Sequence, residues 1–363
     1  MGASEQIAEI EEQIKNTKYN KHTQLGVGLL KAKLSRLRDD IAKKGSGKGG
    51  EGYAVKKSGD ATVVLLGFPS VGKSTLLNKI TGAESEVGAY DFTTLTVIPG
   101  LLEHKHAQIQ ILDVPGIVSG AASGRGRGRE VLAVLRGADL ILIVVDALKP
   151  LQYKSILDEI FESGIRINQR KPDVKVARKA RGGISLSTTV KLTKLDKKTV
   201  EGVLREYKLN NCDMVIREDI SDDQLIDILD GNRTYTKAIT VINKVDLVDE
   251  ETLKKLTAEI KPNLLISAES GLGIEKLKDL IFDKIGFIRI YCKEAGKKAD
   301  MEVPLIMRRG STLEDVCKSL HKDFVKKFKF AKIWGKSAKF DGQSFKKLDK
   351  ALADGDIVEI HIS

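Results

Sequence analysis

Only three cysteines occur in this chain of 363 residues, and Cys212, Cys292 and Cys317 show neither the even number of a disulfide framework nor the spacing of a metal-binding motif. The five histidines form no ligand pair. His104 and His106 flank a lysine in what reads as a hairpin, so a metal centre built from Cys and His is not expected. Such cysteine usage suits a reducing cytosol. Long apolar runs are missing as well: the longest, LILIVV at Leu140 to Val145, is far short of a bilayer span. The first residues form a charged helical pattern with no signal-peptide core, and Gln6 stands where myristoylation requires Ser or Thr. A cytoplasmic protein with no membrane partner is expected.

What is present is charge. Lys, Arg, Asp and Glu make up 31% of the chain, hydrophobic residues 41%, and the net charge is +11. The length is too great for one compact α/β core and sufficient for two or three units. Positive charge is concentrated: twelve basic against seven acidic residues over 1–59, six against one over 170–181, and seventeen against eleven over 286–363. The remainder is net acidic. Accessory parts that touch a polyanion around a core that does chemistry would produce this distribution.

Ile7, Ile10 and Ile14, then Leu25, Leu29, Leu30, Leu34, Leu37 and Ile41, recur at helical spacing and predict a helical hairpin. The glycine-rich stretch Gly45 to Gly52 predicts a linker, so 1–58 reads as hairpin plus linker. From Ala61 short apolar strands alternate with helical stretches: ATVVLL, AQIQILDV, ADLILIVVDA, AITVINKVD and NLLISAESG. Strands this apolar are buried on both faces, which predicts a mostly parallel sheet flanked by helices over 59–285. The alternation breaks at 164–235, an inserted small α/β domain expected to fold on its own. Residues 286–363 read as strands, a helix and further strands of a small β-grasp module. Its helix is expected to start on a capping box of Ser311 with Glu314 and to bury Leu313, Val316, Leu320 and Phe324. Phe324, Phe328 and Trp334 are expected in the core of that module.

GFPSVGKST, from Gly67, follows a strand and runs into a helix, as a phosphate-binding loop requires. Gly67, Pro69, Ser70, Val71, Gly72, Lys73, Ser74 and Thr75 are therefore the candidate nucleotide contacts. Main-chain N–H groups close around the β-phosphate, Lys73 neutralises the β and γ oxygens, and Ser74 ligates Mg²⁺. Asp113, ending a second strand, would hold the same Mg²⁺ through water, and the Gly116 amide would donate to the γ-phosphate. In DFTTLTVIPG, Thr94 is the expected third metal ligand, with Thr93 its competitor. Asn243, Lys244 and Asp246 of NKVD select the base: the Asp246 carboxylate can accept from guanine N1–H and the 2-amino group, whereas adenine offers no such pair of donors. That carboxylate would be costly to leave unpaired if buried. In SAESG, Ser267 belongs to the same site and the Ala268 amide is expected to donate to guanine O6. Lys73, Thr94 and Gly116 are the candidate catalytic groups.

One residue type is missing from the site. DVPGIVSG places Ile117 where many GTPases carry a glutamine that orients the attacking water. These motifs together, with GFPSVGKS, FTTLTVIPG, DVPGIVSGAASGRGRGRE and NKVD, resemble those of the DRG, or developmentally regulated GTP-binding, branch of the Obg-like GTPases. The resemblance runs almost the whole chain. It implies a P-loop GTPase domain, a ribosomal-protein-like insertion and a C-terminal TGS domain, in a translation-associated GTPase acting with ribosomes or RNA. It also implies that Thr94 is the switch threonine, and eukaryotic relatives have a dedicated stabilising partner protein. Some related GTPases with a hydrophobic residue after the glycine use K⁺ as an extra positive charge at the phosphates. Where they usually carry asparagine this sequence has Ser70, which could ligate through its hydroxyl or leave the task to switch-loop carbonyls.

The expected activity is hydrolysis of GTP to GDP and phosphate, with binding state opening and closing the loops around Thr94 and Asp113. Its rival is a GTP-regulated RNA- or partner-binding scaffold in which hydrolysis is incidental. A P-loop kinase is disfavoured by NKVD. The run Gly124 to Arg129 would bring Arg125, Arg127 or Arg129 to the γ-phosphate or to RNA, or else form a solvated loop. The basic stretches RKPDVKVARKARGG and FVKKFKFAK could follow a phosphate backbone.

Overall fold

The computed structural model describes residues 3–44, 59–82, 98–114 and 134–362. Two helices open the chain, α1 (Ala3–Asn16) and α2 (Gln24–Lys44). The central domain then begins with β1 (Ala61–Leu66), α3 (Lys73–Thr81), β2 (Ile98–His104), β3 (Ala107–Asp113), β4 (Leu140–Asp146) and α4 (Gln152–Glu162). The inserted segment follows as β5 (Ile165–Ile167), β6 (Val174–Arg178), β7 (Ile184–Thr188), α5 (Lys197–Glu206), β8 (Cys212–Ile216) and α6 (Asp222–Asp230). The central domain resumes with β9 (Thr234–Asn243), α7 (Glu250–Ile260), β10 (Leu264–Leu265) and α8 (Ile274–Ile285). The C-terminal module holds β11 (Phe287–Lys293), β12 (Leu305–Arg308), α9 (Leu313–Leu320), α10 (Lys322–Lys327), β13 (Phe328–Trp334), β14 (Gln343–Phe345) and β15 (Ile357–Ile362). No helix among the described residues is long and apolar enough to cross a membrane.

The central sheet has the order β10-β9-β4-β1-β3-β2. Every pairing along it is parallel except β2 with β3. β1 and β4 are buried along their whole length, because helices cover both faces. Leu65, Leu76, Ile109, Leu142 and Leu277 join strands and helices in one core. Each such side chain contributes about 1.5–3 kcal/mol when fully buried. The β2–β3 hairpin closes on Lys105 and His106, both with positive φ (52° and 69°). Two consecutive left-handed residues match the right-handed twist of the paired strands.

The chain divides into two compact units. One contains the central sheet and the C-terminal module; the other contains 1–53 and 158–236. The insertion, expected to fold on its own, shares its core with the N-terminal hairpin: Ala32 of α2 is buried with Val200, Val203, Met214 and Leu225. Its sheet, ordered β6-β8-β7, presents only one apolar face to α5 and α6. α2 covers what those helices leave open. The contact is close because it meets glycine, Leu25 Cδ1 lying 2.9 Å from where a Cβ on Gly202 would stand. Polar clasps complete the docking: Ser35 Oγ donates to Asp230 Oδ2 at 2.6 Å, and Lys31 Nζ lies 3.0 Å from Asp222.

In the C-terminal module the sheet order is β12-β11-β15-β13-β14, the strand pattern of a β-grasp. The helix start is shifted by one residue from the sequence expectation. Thr312 N–H and Oγ1 both donate to Asp315 Oδ2, at 2.8 and 3.0 Å, and α9 begins at Leu313. Its buried face is Leu313, Val316 and Cys317, while Leu320 is 41% exposed and half-buried Phe324 falls in α10. Phe328 packs on the core, but Trp334 does not. Ala331 and Ile333 take the inward positions of β13, and strand alternation turns Trp334 to the other face, where Lys293 Nζ sits 4.2 Å from the ring centroid.

Candidate nucleotide-binding site

β1 ends at Leu66 and the chain turns through Gly67–Gly72 into α3. Two glycines are required here by contact. A Cβ on Gly67 would stand 2.6 Å from Val144 O on the adjacent strand, and one on Gly72, whose φ is 92°, would stand 2.5 Å from Asn243 Nδ2. Gly72 also caps α3 without a side chain, so nothing competes for the amides of the first turn. Lys73 is buried, and its Nζ curls back to donate to Gly67 O (3.0 Å) and Phe68 O (3.2 Å). Burial lowers the Lys73 pKa, and the nearby Asp113 carboxylate opposes that shift.

Parallel pairing of β1 with β3 sets Asp113 opposite Leu65, at the strand end facing the loop. Its Oδ2 accepts from Ser74 Oγ at 2.8 Å. Its Oδ1 is buried without a hydrogen-bond partner among the described residues. Burial raises the Asp113 pKa, while the Ser74 hydrogen bond and Lys73 pull it down. An uncommitted carboxylate oxygen beside a hydroxyl is a donor set for a hard cation such as Mg²⁺. Among the described residues it is an unpaired buried acceptor, which costs stability.

On the base side, Asn243 bridges two loops. Its Nδ2 donates to Val71 O at 2.9 Å and its Oδ1 accepts from Ala268 N at 2.9 Å. The Ala268 amide, expected to serve guanine O6, is therefore already engaged, and would have to be shared or released on binding. Lys244 is left-handed (φ 64°), and its Nζ donates at 2.7 Å both to Ser70 O and to Asp146 Oδ2. Ser70 is left-handed too (φ 63°). Ser267 is fully buried, with Oγ accepting from Ser270 N at 3.2 Å to close the SAESG turn. Asp246 is exposed and has no partner among the described residues, so the burial cost expected of an unpaired Asp246 does not arise before nucleotide binds.

The structure thus brings together Gly67, Ser70, Val71, Gly72, Lys73, Ser74, Asp113, Asn243, Lys244 and Ala268. Pro69 is an exposed member of the same loop and Thr75 lies in the first turn of α3. Thr94, Thr93, Gly116, Ile117, Arg125, Arg127, Arg129 and the Gly45–Gly52 linker lie outside the described residues. Asp146 is the residue that sequence reasoning missed. It is 3% exposed and also accepts from Leu148 N at 2.9 Å. Its signal was available: a lone carboxylate ending the wholly apolar strand LILIVVD, as Asp113 ends β3.

A strand–loop–helix phosphate cradle, a buried aspartate beside its serine and an NKVD loop tied to the cradle, on a mostly parallel sheet, define a P-loop GTPase. Residues 62–179 match a family described as 50S ribosome-binding GTPase, 181–287 the C-terminal region of that domain, and 288–362 the TGS domain. An uncharacterized GTP-binding protein of Methanocaldococcus jannaschii is 54% identical, covering 100% of this chain and 93% of its own. The developmentally-regulated GTP-binding protein 2 homolog of Dictyostelium discoideum is 46% identical, covering 99% of each. Among solved structures, the YchF GTPase of Schizosaccharomyces pombe aligns over 84% of this chain and 99% of its own, at 14% identity and TM-score 0.47. The chain belongs to the developmentally regulated GTP-binding protein family, and is a GTP-binding protein and GTP hydrolase.

Proposed function

We propose that this GTPase is a translation-associated switch that acts with ribosomes or RNA and grips them differently in its GTP and GDP states. The observation that carries the switch is the Asp113–Ser74 pair, in which the aspartate Oδ1 is buried with no partner among the described residues. Ser74, Asp113 and Thr94 would hold Mg²⁺, which when bound supplies positive charge to the β- and γ-phosphate oxygens. Lys73 would exchange its loop carbonyls for phosphate oxygens. The Gly67–Gly72 amides would cradle the β-phosphate, and Gly116 N–H would donate to the γ-phosphate. Thr94 can complete the metal shell only while its loop is closed, and loss of the γ-phosphate would release it.

RNA or a ribosome as partner is supported by the placement of charge. On the insertion's sheet, Val174, Val176, Ile184 and Leu186 pack inward, leaving Lys175, Ser185 and Ser187 exposed on the other face. Exposed Arg178 and Arg181 lie in and after β6. Cations edge this face, which also carries Asp213 paired with Lys179 at 2.7 Å.

Ile117 offers no side-chain amide to the attacking water. Intrinsic turnover is then expected to be slow, about 10⁻⁴ to 10⁻² s⁻¹ as for unassisted GTPases. The test is single-turnover GTP hydrolysis with and without ribosomes, beside an ATP control. GTP-only hydrolysis accelerated by ribosomes is expected; rates indifferent to ribosomes would overturn the translation reading. Potassium at the phosphates would draw on the Ser70 hydroxyl, since the Ser70 carbonyl is engaged by Lys244. Equal rates in potassium and sodium at matched ionic strength would remove that part.

A further inference from the structure

Beneath the central sheet, at the end opposite the nucleotide loops, four cations meet. Lys237 opens the stretch of β9 that pairs with β4 at Leu140, and the same pairing ends at Asp146 and Asn243 beside the nucleotide site. Six residues of strand separate the two ends, about 20 Å at the usual rise. Lys237 Nζ donates to Ile285 O, the last carbonyl of α8, at 3.2 Å. Gly286 follows with φ of 86°, and a Cβ built there would lie 3.6 Å from Lys237 Nζ and 3.9 Å from Arg309 Cβ. Arg309 N–H donates to Gly286 O at 2.7 Å, which fixes the backbone of this turn. Lys284, in the last turn of α8, and Arg308 complete the group, and both repel the Lys237 ammonium, as Arg309 does.

Among the described residues, the negative charge paired with these four does not balance them. The C-terminus of α8 supplies roughly half a charge. Asp139 supplies one: its Oδ1 pairs with Arg308 Nη2 at 2.9 Å, while its Oδ2 is taken by Thr62 N–H at 3.0 Å. Arg308 is thereby held in place, its guanidinium also lying 5.9 Å from the Phe287 ring centroid. Lys284 and Arg309 have no side-chain hydrogen bond or ion pair among the described residues. A structural role for the helix end accounts for Lys237, and Asp139 accounts for Arg308. The other two cations are left over, beside a guanidinium that is already oriented.

We infer that Lys237, Lys284, Arg308 and Arg309 form a phosphate-binding junction between the GTPase core and the C-terminal module, and that its ligand is the phosphodiester backbone of RNA. The inference rests on the proposed RNA partnership and gives it a definite surface. Guanidinium and ammonium donors from separate elements suit a backbone and read no base. A charge of +11 favours a polyanion over a single small anion. The distance from Asp146 and Asn243 separates this site from the GTP site, so the two can be occupied together.

The test uses the full chain saturated with GDP and a fluorescent single-stranded RNA, titrated by anisotropy over a range of salt. Lys284→Ala with Arg309→Ala should weaken RNA binding about tenfold and reduce the slope of log affinity against log salt by about 1.4, two contacts on a single strand. Lys284→Arg with Arg309→Lys should keep most of the affinity and show that the fold survives. Lys254→Ala with Lys255→Ala, an equal charge loss on the exposed face of α7, should have little effect. Wild-type binding that the first pair leaves unchanged, or weakens no more than the α7 pair does, would overturn the junction and leave the RNA partnership standing. No RNA binding by the wild type would overturn both. Displacement of RNA by inorganic phosphate or polyglutamate as readily as by unlabelled RNA, at matched ionic strength, would overturn the assignment to a nucleic acid backbone.

Discussion

Asp146 Oδ2 accepts from Lys244 Nζ at 2.7 Å, and the same ammonium donates at 2.7 Å to the carbonyl of Ser70. The carboxylate that ends β4 therefore aims the lysine of the base-selecting loop at the phosphate loop. Removing a charge-assisted bond of this kind costs about 1.5–3 kcal/mol. Asp146→Ala should weaken GDP binding by roughly tenfold or more, since about 1.4 kcal/mol is a factor of ten. Titration with a fluorescent GDP analogue checks this, and unaltered affinity would show that Lys244 needs no such support.

Asp246 is exposed and has no partner among the described residues, which leaves its carboxylate available to the guanine N1–H and 2-amino group. Asp246→Asn keeps the shape and replaces one acceptor oxygen by a donor. Affinity for GTP should fall by about 10³ or more, on the scale seen when a site built around polar groups loses them. Xanthosine triphosphate, with a carbonyl at the same ring position, should recover part of it. Equal losses for both nucleotides would place Asp246 outside base selection.

Burial raises the Asp113 pKa above its ordinary value of 3.8. A carboxyl whose pKa is higher in the folded state gives stability that is fully present below the unfolded pKa and fades as pH rises through the folded one. The nucleotide-free protein should therefore lose part of its stability through Asp113 from about pH 4 upward. Asp113→Asn removes that dependence, so the melting temperature of the variant minus that of wild type should increase between pH 4 and 7. A difference constant with pH would mean that Asp113 is not held in the described environment.

In the other unit, Arg166 grips Asp227 with two bonds of 2.6 Å, Nε to Oδ2 and Nη2 to Oδ1, and Arg233 Nε adds a third at 3.0 Å. Arg166 and Asp227 are both almost wholly buried. Asp227→Ala would strand a buried guanidinium and should cost about 3–5 kcal/mol. Because a chain of two units need not unfold in one step, hydrogen exchange over α2 and 158–236 is the suitable readout. Unchanged protection there would contradict the prediction.

Much of the site was legible because phosphate chemistry imposes a local order on the chain. Gly67, Gly72, Lys73 and Ser74 occupy adjacent places, and apolar runs such as ATVVLL and LILIVVD announce buried parallel strands with functional residues at their ends. Asp146 was visible in that same pattern, but its meaning required Lys244, far away in sequence. The engagement of the Ala268 amide was hidden for a similar reason: sequence shows a donor but not that Asn243 Oδ1 accepts from it. The start of α9 was misplaced because Ser311-x-x-Glu314 and Thr312-x-x-Asp315 are adjacent, equally suitable cap patterns.

Sequence by itself determined the chemistry of the phosphate cradle, the guanine-selecting loop, the strand order of burial and the surplus of basic residues, since each follows from residue type and near-neighbour spacing. Tertiary structure alone decided that α2 completes the core of an insertion over a hundred residues downstream, that Asn243 bridges two loops, and that Lys237, Lys284, Arg308 and Arg309 converge at the far end of the sheet. Those relations depend on which surfaces remain uncovered once each local element has formed. Burial and charge pairing are settled between elements distant in the chain, and no local pattern records them.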